Sequence, residues 1–440
     1  MDSAVLSDNS LKSVLNKITW HLLPFMFVLY IVSYLDRINV SYAGLQMNAD
    51  LGFDDAVFGF GAGVFFIGYF LFGVPSNLAM ERLGARKWIS TIMIVWGCIS
   101  VAMAWVHSRE AFYTMRFLLG VAEAGFFPGM ILYLTYWFPK RQHGLAVARF
   151  MTAVPAAGLL GGLIAAKVLT MTACGLPGWK WLFIITGVPS VLLGIVVLFV
   201  LTNKPEQATW LTEEEKRILL DHLRAERETS VSPEGSPKAT VKDALLSPRV
   251  WLLALLYFSL TLGMYGFQLW LPQIVQGISH GNDSQTALLS SIPAIFQALG
   301  MVLIARSSDR TGERRFHLAG SATLAAIGLA SAGLLNNPVL ALLALCMTAM
   351  GIWGTVGPFW ALPTGFLSPA VAATGIGLIN SVGNLGGFAG PYFVGAIKTA
   401  SHNFAFSLFF MAGSLLFGAI IAVCIKVPKN QSGGPAGTAH

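Results

Sequence analysis

Apolar runs alternate with short polar loops along the whole chain. About 20 apolar residues cross the hydrocarbon core of a bilayer as a helix. Twelve runs approach that length, near 19–38, 56–79, 87–106, 111–136, 145–169, 180–201, 250–273, 287–305, 316–335, 338–360, 371–397 and 403–425. The runs at 145–169 and 371–397 are the least clean, because both are rich in glycine and polar residues. The pattern predicts an all-α membrane protein. Residues 202–249 break the rhythm with Glu213-Glu214-Glu215-Lys216-Arg217 and a Ser/Pro/Gly-rich stretch at 229–237. Thr212 stands where it can cap a short helix, with Glu215 at the third position. The expected domains are 1–201, a six-helix bundle; 202–249, a cytoplasmic linker with an amphipathic helix; and 250–440, a second six-helix bundle and tail.

The halves repeat. Glu81-Arg82-Leu83-Gly84-Ala85-Arg86 follows the second run, and Asp309-Arg310-Thr311-Gly312-Glu313-Arg314 follows the eighth. The order acid-Arg-x-Gly-x-Arg thus recurs in register, as expected of two pseudo-symmetric bundles that rock around a central site. Glycine permits the tight turn, and the acid can meet a helix N-terminus or an arginine. Two readings follow, a gate latch and a plain positively charged turn. Basic residues set the orientation. Lys12, Lys17, Arg82, Arg86, Lys87, Lys140, Arg141, the eight from Lys204 to Arg249, Arg306, Arg310, Arg314, Arg315, Lys426 and Lys429 put 21 of the 28 on one side. The positive-inside rule then predicts both termini in the cytoplasm.

Composition agrees. Hydrophobic residues make up 55% of the chain and charged ones 11%, against roughly 25% charged in soluble domains. The net charge of +7 is scattered over short loops, which argues against nucleic acid as a partner. Cys98, Cys174, Cys346 and Cys424 are isolated and lack metal-ligand spacing. No nucleophile-base pair or phosphate loop points to an enzyme or an ATP-driven pump, and no cofactor is expected.

Against this background the charges inside apolar runs stand out. Arg116 and Glu123 lie in the fourth run, and Asp36-Arg37 sits near the outer end of the first. An ionisable group in hydrocarbon is costly and faces a cavity or a partner. Seven residues place Arg116 and Glu123 near one helical face. They read either as a structural ion pair or as an anion site beside a proton carrier. Asp36 and Arg37 point about 100 degrees apart, so they cannot share a contact by default. Arg37 can face a central cavity while Asp36 bonds another helix; a surface-loop reading remains, since Asn39 and Ser41 follow. In the second half Asn380 and Asn384 form an i,i+4 pair, read as substrate contact or as helix-helix glue, and Gln268 is a further candidate. Tyr34 reads as a site hydroxyl or an interhelical lock. His143 and Arg149 keep their plain loop and snorkelling readings.

At this point the chain resembles the major facilitator superfamily and, within it, the anion:cation symporter family of tartrate, phthalate and sugar-acid permeases and sialin-like carriers. The resemblance is carried by Tyr34-Leu35-Asp36-Arg37-Ile38-Asn39, by Pro75-Ser76-Asn77-Leu78, and most specifically by Arg116-Phe117-Leu118-Leu119-Gly120-Val121-Ala122-Glu123-Ala124-Gly125-Phe126-Phe127-Pro128-Gly129. It continues through Tyr136-Trp137-Phe138-Pro139, Lys204-Pro205-Glu206 and Gly386-Gly387-Phe388-Ala389-Gly390-Pro391. Departures fall at Asn77, where glycine is common, and at Glu81, where the latch acid is aspartate. The resemblance implies the major facilitator fold and a secondary active transporter. It implies proton-coupled uptake of an organic anion, a dicarboxylate such as tartrate or a sugar acid, by alternating access. An aromatic-acid permease, as for phthalate, and an organic-acid exporter are the alternatives. It assigns proton coupling to Asp36 and substrate contact to Arg37 and Tyr69. The intramembrane positions of Arg116 and Glu123 add an anion contact and a second proton carrier, and the repeat of the loop motif gives gating to Glu81, Arg82, Arg86, Asp309, Arg310 and Arg314. Small organic anion, proton and lipid bilayer are the expected partners, for a functional monomer in the cytoplasmic (inner) membrane of a bacterium.

Overall fold

The computed structural model describes residues 2–230, 241–367 and 369–425. Residues 231–237 of the Ser/Pro/Gly-rich stretch, and the tail with Lys426 and Lys429, lie outside them. Among the described residues every regular element is a helix. The first half comprises α1 (Asp2–Leu51), α2 (Asp55–Leu83), α3 (Ala85–Ala102), α4 (Arg109–Glu123), α5 (Phe126–Thr135), α6 (Lys140–Met151), α7 (Ala153–Val168) and α8 (Gly178–Val200). The linker carries α9 (Glu213–Ser230) and α10 (Val241–Leu246). The second half comprises α11 (Pro248–Ser279), α12 (Asp283–Thr311), α13 (Arg315–Leu334), α14 (Pro338–Gly354), α15 (Val356–Phe366), α16 (Pro369–Asn384), α17 (Gly386–Ser401) and α18 (Phe404–Cys424).

Among the described residues, eleven helices or near-continuous helical runs are long and apolar enough to cross a membrane. The twelfth span is the pair α16–α17, split at Leu385 before Gly386-Gly387. Three other spans are also broken, and each break lies four residues ahead of a proline. α4 stops before Ala124, ahead of Pro128; α6 stops at Met151, ahead of Pro155; α14 stops at Gly354, ahead of Pro358. Proline removes the bond to residue i−4 and its ring crowds that carbonyl, which accounts for a break at these positions, although Pro24, Pro75, Pro189, Pro272 and Pro293 lie inside helices that continue through them.

One boundary differs from expectation. The first span does not end at Ile38; α1 runs on to Leu51, which places Asp36 and Arg37 deep inside the helix. The polar residues that suggested a loop bond within the bundle, although Asn39 Oδ1 has no partner among the described residues. Asn39 donates to Thr186 Oγ1 at 2.9 Å, and Ser41 donates to the Ile38 carbonyl at 2.6 Å.

Both repeated loops hold their glycine at positive φ, Gly84 at +83° and Gly312 at +68°, though with different ψ, 150° and 0°. A side chain at either position would be strained, which explains the glycine at the centre of both motifs. The linker helix starts with the expected reciprocal cap. The Glu215 amide donates to Thr212 Oγ1 (3.2 Å) and the Thr212 amide to Glu215 Oε2 (2.8 Å).

The linker docks on the first half. Leu219 and Leu223 are buried, Lys17 pairs with Glu215 at 2.8 Å, and the Trp210 ring lies between His21 (4.0 Å) and Trp137 (5.5 Å). The Lys17 ammonium and the Thr212 amide hold the Glu215 carboxyl below its usual range. The exposed ion pair contributes less than ~1 kcal/mol, so the aromatic stack and the two leucines dominate. Trp210→Ala should therefore weaken linker docking by roughly 3 kcal/mol and speed tryptic cleavage within residues 202–249, read by limited proteolysis. Lys17→Ala should leave the cleavage rate nearly unchanged.

Candidate functional site

Four charged residues meet in the interior of the first half. Arg37 is 7% exposed, Glu123 1%, and Asp36 and Arg116 are fully buried. Arg37 donates through Nη2 (2.5 Å) and Nε (3.1 Å) to Glu123 Oε1, which also accepts from Ser33 Oγ at 3.0 Å. Glu123 Oε2 is buried without a hydrogen-bond partner. Helical spacing suggested Arg116 as the natural neighbour of Glu123. Among the described residues the short pair is instead Arg37–Glu123, between α1 and the last residue of α4. The break after Glu123 ends α4 at the point where this carboxylate meets α1.

Arg116 points elsewhere. Its guanidinium lies 3.4 Å from the carbonyls of Gly61 and Ala62 on α2, and Nη1 has no partner. Phe65 separates the two arginines: the Arg37 guanidinium lies 5.3 Å from its ring centroid and the Arg116 guanidinium 5.1 Å. Cation–π contact of this kind favours a desolvated guanidinium. Tyr34 and Tyr69 complete the aromatic surround of Arg37, at 5.7 and 5.2 Å.

Asp36 faces the opposite way, towards α3 and α8. It accepts from Ser100 Oγ at 2.7 Å and from Ser190 Oγ in a short bond, and Asn39 lies at 3.5 Å. All these partners are neutral. The adjacent residues Asp36 and Arg37 thus serve separate clusters, as the helical angle between them requires.

The second half supplies amides. Tyr34 Oη donates to Gln268 Oε1 at 2.7 Å, joining α1 to α11. Asn384 is half-buried and Asn380 exposed on α16. Neither makes a side-chain hydrogen bond to another described residue. Of the loop residues, Asp309 pairs with Arg314 at 2.5 Å, while Glu81, Arg82 and Arg86 are exposed. Residues missed from sequence include Ser33, Phe65, Ser100 and Ser190. Lone serines and one phenylalanine among many carry no signal until partner helices are known.

The seam between the halves is closed at one end. There α2 lies on α17, α7 on α12 and α1 on α11. Polar ties join them: Lys398–Asp55 at 2.7 Å, Gln46–Asp283 at 2.9 Å and Ser284 to the Ala166 carbonyl at 2.6 Å. A Cβ on Gly59 would stand 2.5 Å from the Pro391 carbonyl, so backbones touch.

Two bundles of broken helices around a central seam, with buried charge at mid-depth, define a multi-pass membrane carrier. The chain belongs to the Major Facilitator Superfamily, whose family model matches residues 26–391. It is 46% identical over 424 residues, 96% of each chain, to a protein of Agrobacterium vitis named as a tartrate transporter. It is 43% identical over 416 residues, 94% of this chain and 95% of the other, to a quinolone resistance transporter of Acinetobacter baumannii. Among solved structures, an inward-facing bacterial homologue of the human lysosomal transporter Spinster superposes with TM-score 0.75. That match has 16% identity and covers 92% of this chain and 96% of that one. The protein is a membrane transporter and not an enzyme.

Removing one member of a buried ion pair strands the other, at ~3–5 kcal/mol. Arg37→Met should lower the unfolding temperature of the purified protein in detergent. Arg37→Met combined with Glu123→Gln should recover most of that loss, a coupling that a double-mutant thermal-unfolding cycle measures.

Proposed function

We propose that the protein takes up a small organic anion together with protons, by alternating access, as a monomer in the bacterial inner membrane. The substrate class is a dicarboxylate such as tartrate, or a sugar acid. The observation that carries this reading is the Arg37–Glu123 pair, a buried cation held by an internal carboxylate that an incoming carboxylate can replace. Similarity to a protein named as a tartrate transporter supports the substrate class.

Charge counting supplies the coupling. Asp36 and Glu123 balance Arg37 and Arg116 when all four are ionised. A dicarboxylate arriving at Arg37 adds two negative charges to a low-dielectric centre and takes the cation from Glu123. Uncompensated buried charge is costly. Protons on Glu123 and Asp36 restore neutrality, one for each substrate carboxylate. Asp36, whose partners are all neutral, is the second acceptor. Tyr69, Tyr34, Gln268, Asn384 and Asn380 complete the substrate surround, and Arg116 holds positive potential behind Phe65.

The positive-inside rule favours a cytoplasmic position for both termini, the linker and the repeated loops. The end of the seam tied by Lys398–Asp55 and Gln46–Asp283 then faces outward, and the opposite end is the inward one. Closure of that end brings the two loops together, with Glu81, Arg82 and Arg86 opposite Asp309, Arg310 and Arg314 as the latch. A second reading, export of an amphipathic acid, draws on the quinolone resistance relative. Proteoliposomes of known orientation with an imposed pH gradient separate the two readings by the direction of flux.

In such vesicles, tartrate accumulation should follow an inward proton gradient and should not respond to a potassium-diffusion potential, because two protons cancel the dianion. Glu123→Gln should lower gradient-driven accumulation by ~10-fold or more while tartrate counterflow persists, as expected for a proton site acting in a charge-coupled cycle. Undiminished proton-driven accumulation in that variant would remove Glu123 from the coupling step.

A further inference from the structure

A small cavity lies at the seam, between α1 of the first half and α11, α12 and α14 of the second. Its wall includes Ser41, Gln268, Gln297 and Trp353. Gln297, on α12, is 6% exposed, and its amide nitrogen has no hydrogen-bond partner. An unpaired buried donor costs ~1–3 kcal/mol. Kept at the wall of a cavity, it is a donor held ready for a guest.

The cavity adjoins the Arg37 cluster along α1, through Ile38 and Ser41. Tyr34, Arg37, Ile38 and Ser41 follow helical spacing and share one face, so Ser41 stands about 6 Å along the helix from Arg37, towards the closed end. Ile38 and Ser41 line the cavity directly. Gln268 uses its carbonyl oxygen to accept from Tyr34, which leaves its amide N–H groups as donors. Ser41 gives its proton to the Ile38 carbonyl, which leaves its oxygen as an acceptor. The wall therefore offers amide donors and a hydroxyl acceptor about one helical turn from the guanidinium. A substrate hydroxyl, which both donates and accepts, matches that set. A methylene group at the same place would leave the donors unpaired.

We propose that this cavity is the subsite that reads substrate hydroxyls, with Gln297 as the residue that sets specificity for hydroxylated over unsubstituted carboxylates. The inference rests on the organic-anion reading above. A carboxylate seated on Arg37 directs the remainder of a short hydroxy acid to Gln297 and Gln268. Loss of a matched polar contact penalises the hydroxylated substrate, whereas an analogue lacking the group never made it.

The test is calorimetric titration of the purified full chain in detergent with tartrate and with succinate, which differ only in the two hydroxyls. The parent chain should bind tartrate ~10-fold or more tightly than succinate, as a hydrogen-bonding site rejects the analogue that lacks the group. Gln297→Leu, and Gln297→Met as a second variant of similar volume, should bring the two affinities within about twofold of each other by weakening tartrate alone. A cooperative unfolding transition in at least one variant shows that the fold is kept. Equal weakening of both acids, an unchanged preference, or a parent chain without preference overturns the assignment of Gln297 and leaves the organic-anion reading standing. Failure of the parent chain to bind either acid, or any of a panel of hexonates and phthalate, overturns the organic-anion reading and this inference with it.

Discussion

The dominant constraint on this molecule is the cost of holding ions in a bundle that excludes water. The four interior charges are accommodated in three ways. Arg37 and Glu123 neutralise one another across 86 positions of sequence. Asp36 is solvated by side-chain hydroxyls of α3 and α8. Arg116 rests against backbone carbonyls of α2 and the face of Phe65. Together these contacts pin α1 to α2, α3, α4 and α8, so the charge cluster also organises the first half. A buried pair is a poor source of net stability. On the proposed reading the pair serves exchange, because it can be opened by a ligand that supplies the same charge.

The seam follows a different rule. Where the halves meet, glycines let backbones approach: Gly59 faces the Pro391 carbonyl and Gly63 the Phe388 carbonyl, while Gly387 lies against the Phe66 ring. Without a hydrophobic driving force between helices in lipid, close packing and a few polar ties supply the attraction. Such a seam is shallow in energy and easily remade. The broken spans fit this role. A proline-directed break at mid-depth lets one end of a span tilt while the other stays packed, and three of the four breaks coincide with a proline four residues on.

Much of this was legible in the chain. Twelve apolar runs, the duplicated loop motif and the Thr212–Glu215 cap are local patterns, and local rules found them. The length of α1 was missed because Asn39 and Ser41 look like a loop when read alone. Their partners, Thr186 and the Ile38 carbonyl, become evident only once α8 is in place or the helix continues. The partner of Glu123 was left open for the same reason. Seven-residue spacing says that Arg116 and Glu123 share a face, but the choice between arginines is made by how α1 crosses α4. The four interior charges were legible in the chain as residues, but the bonds between them were not. Gln297 gave no signal in sequence, since one amide in an apolar run acquires meaning only from the cavity it borders.

The halves divide their chemistry unevenly. All four membrane-interior charges belong to α1 and α4, while the second half meets them with Gln268, Gln297, Asn384 and aromatic rings. On the proposed reading this asymmetry has a mechanical consequence. The charge balance among carboxylates, arginines and protons is settled within one rigid half, where distances are fixed by helix packing. The neutral amides and rings cross the seam, where distances change as the halves rock. Hydrogen bonds from neutral groups can be broken and remade at modest cost; a charge pair straddling a moving interface would cost several times more each time it opened. Keeping Asp36, Arg37, Arg116 and Glu123 on one side of the seam therefore lets the carrier change its access without separating them; the pair that does cross, Lys398–Asp55, sits at the closed end and is partly exposed.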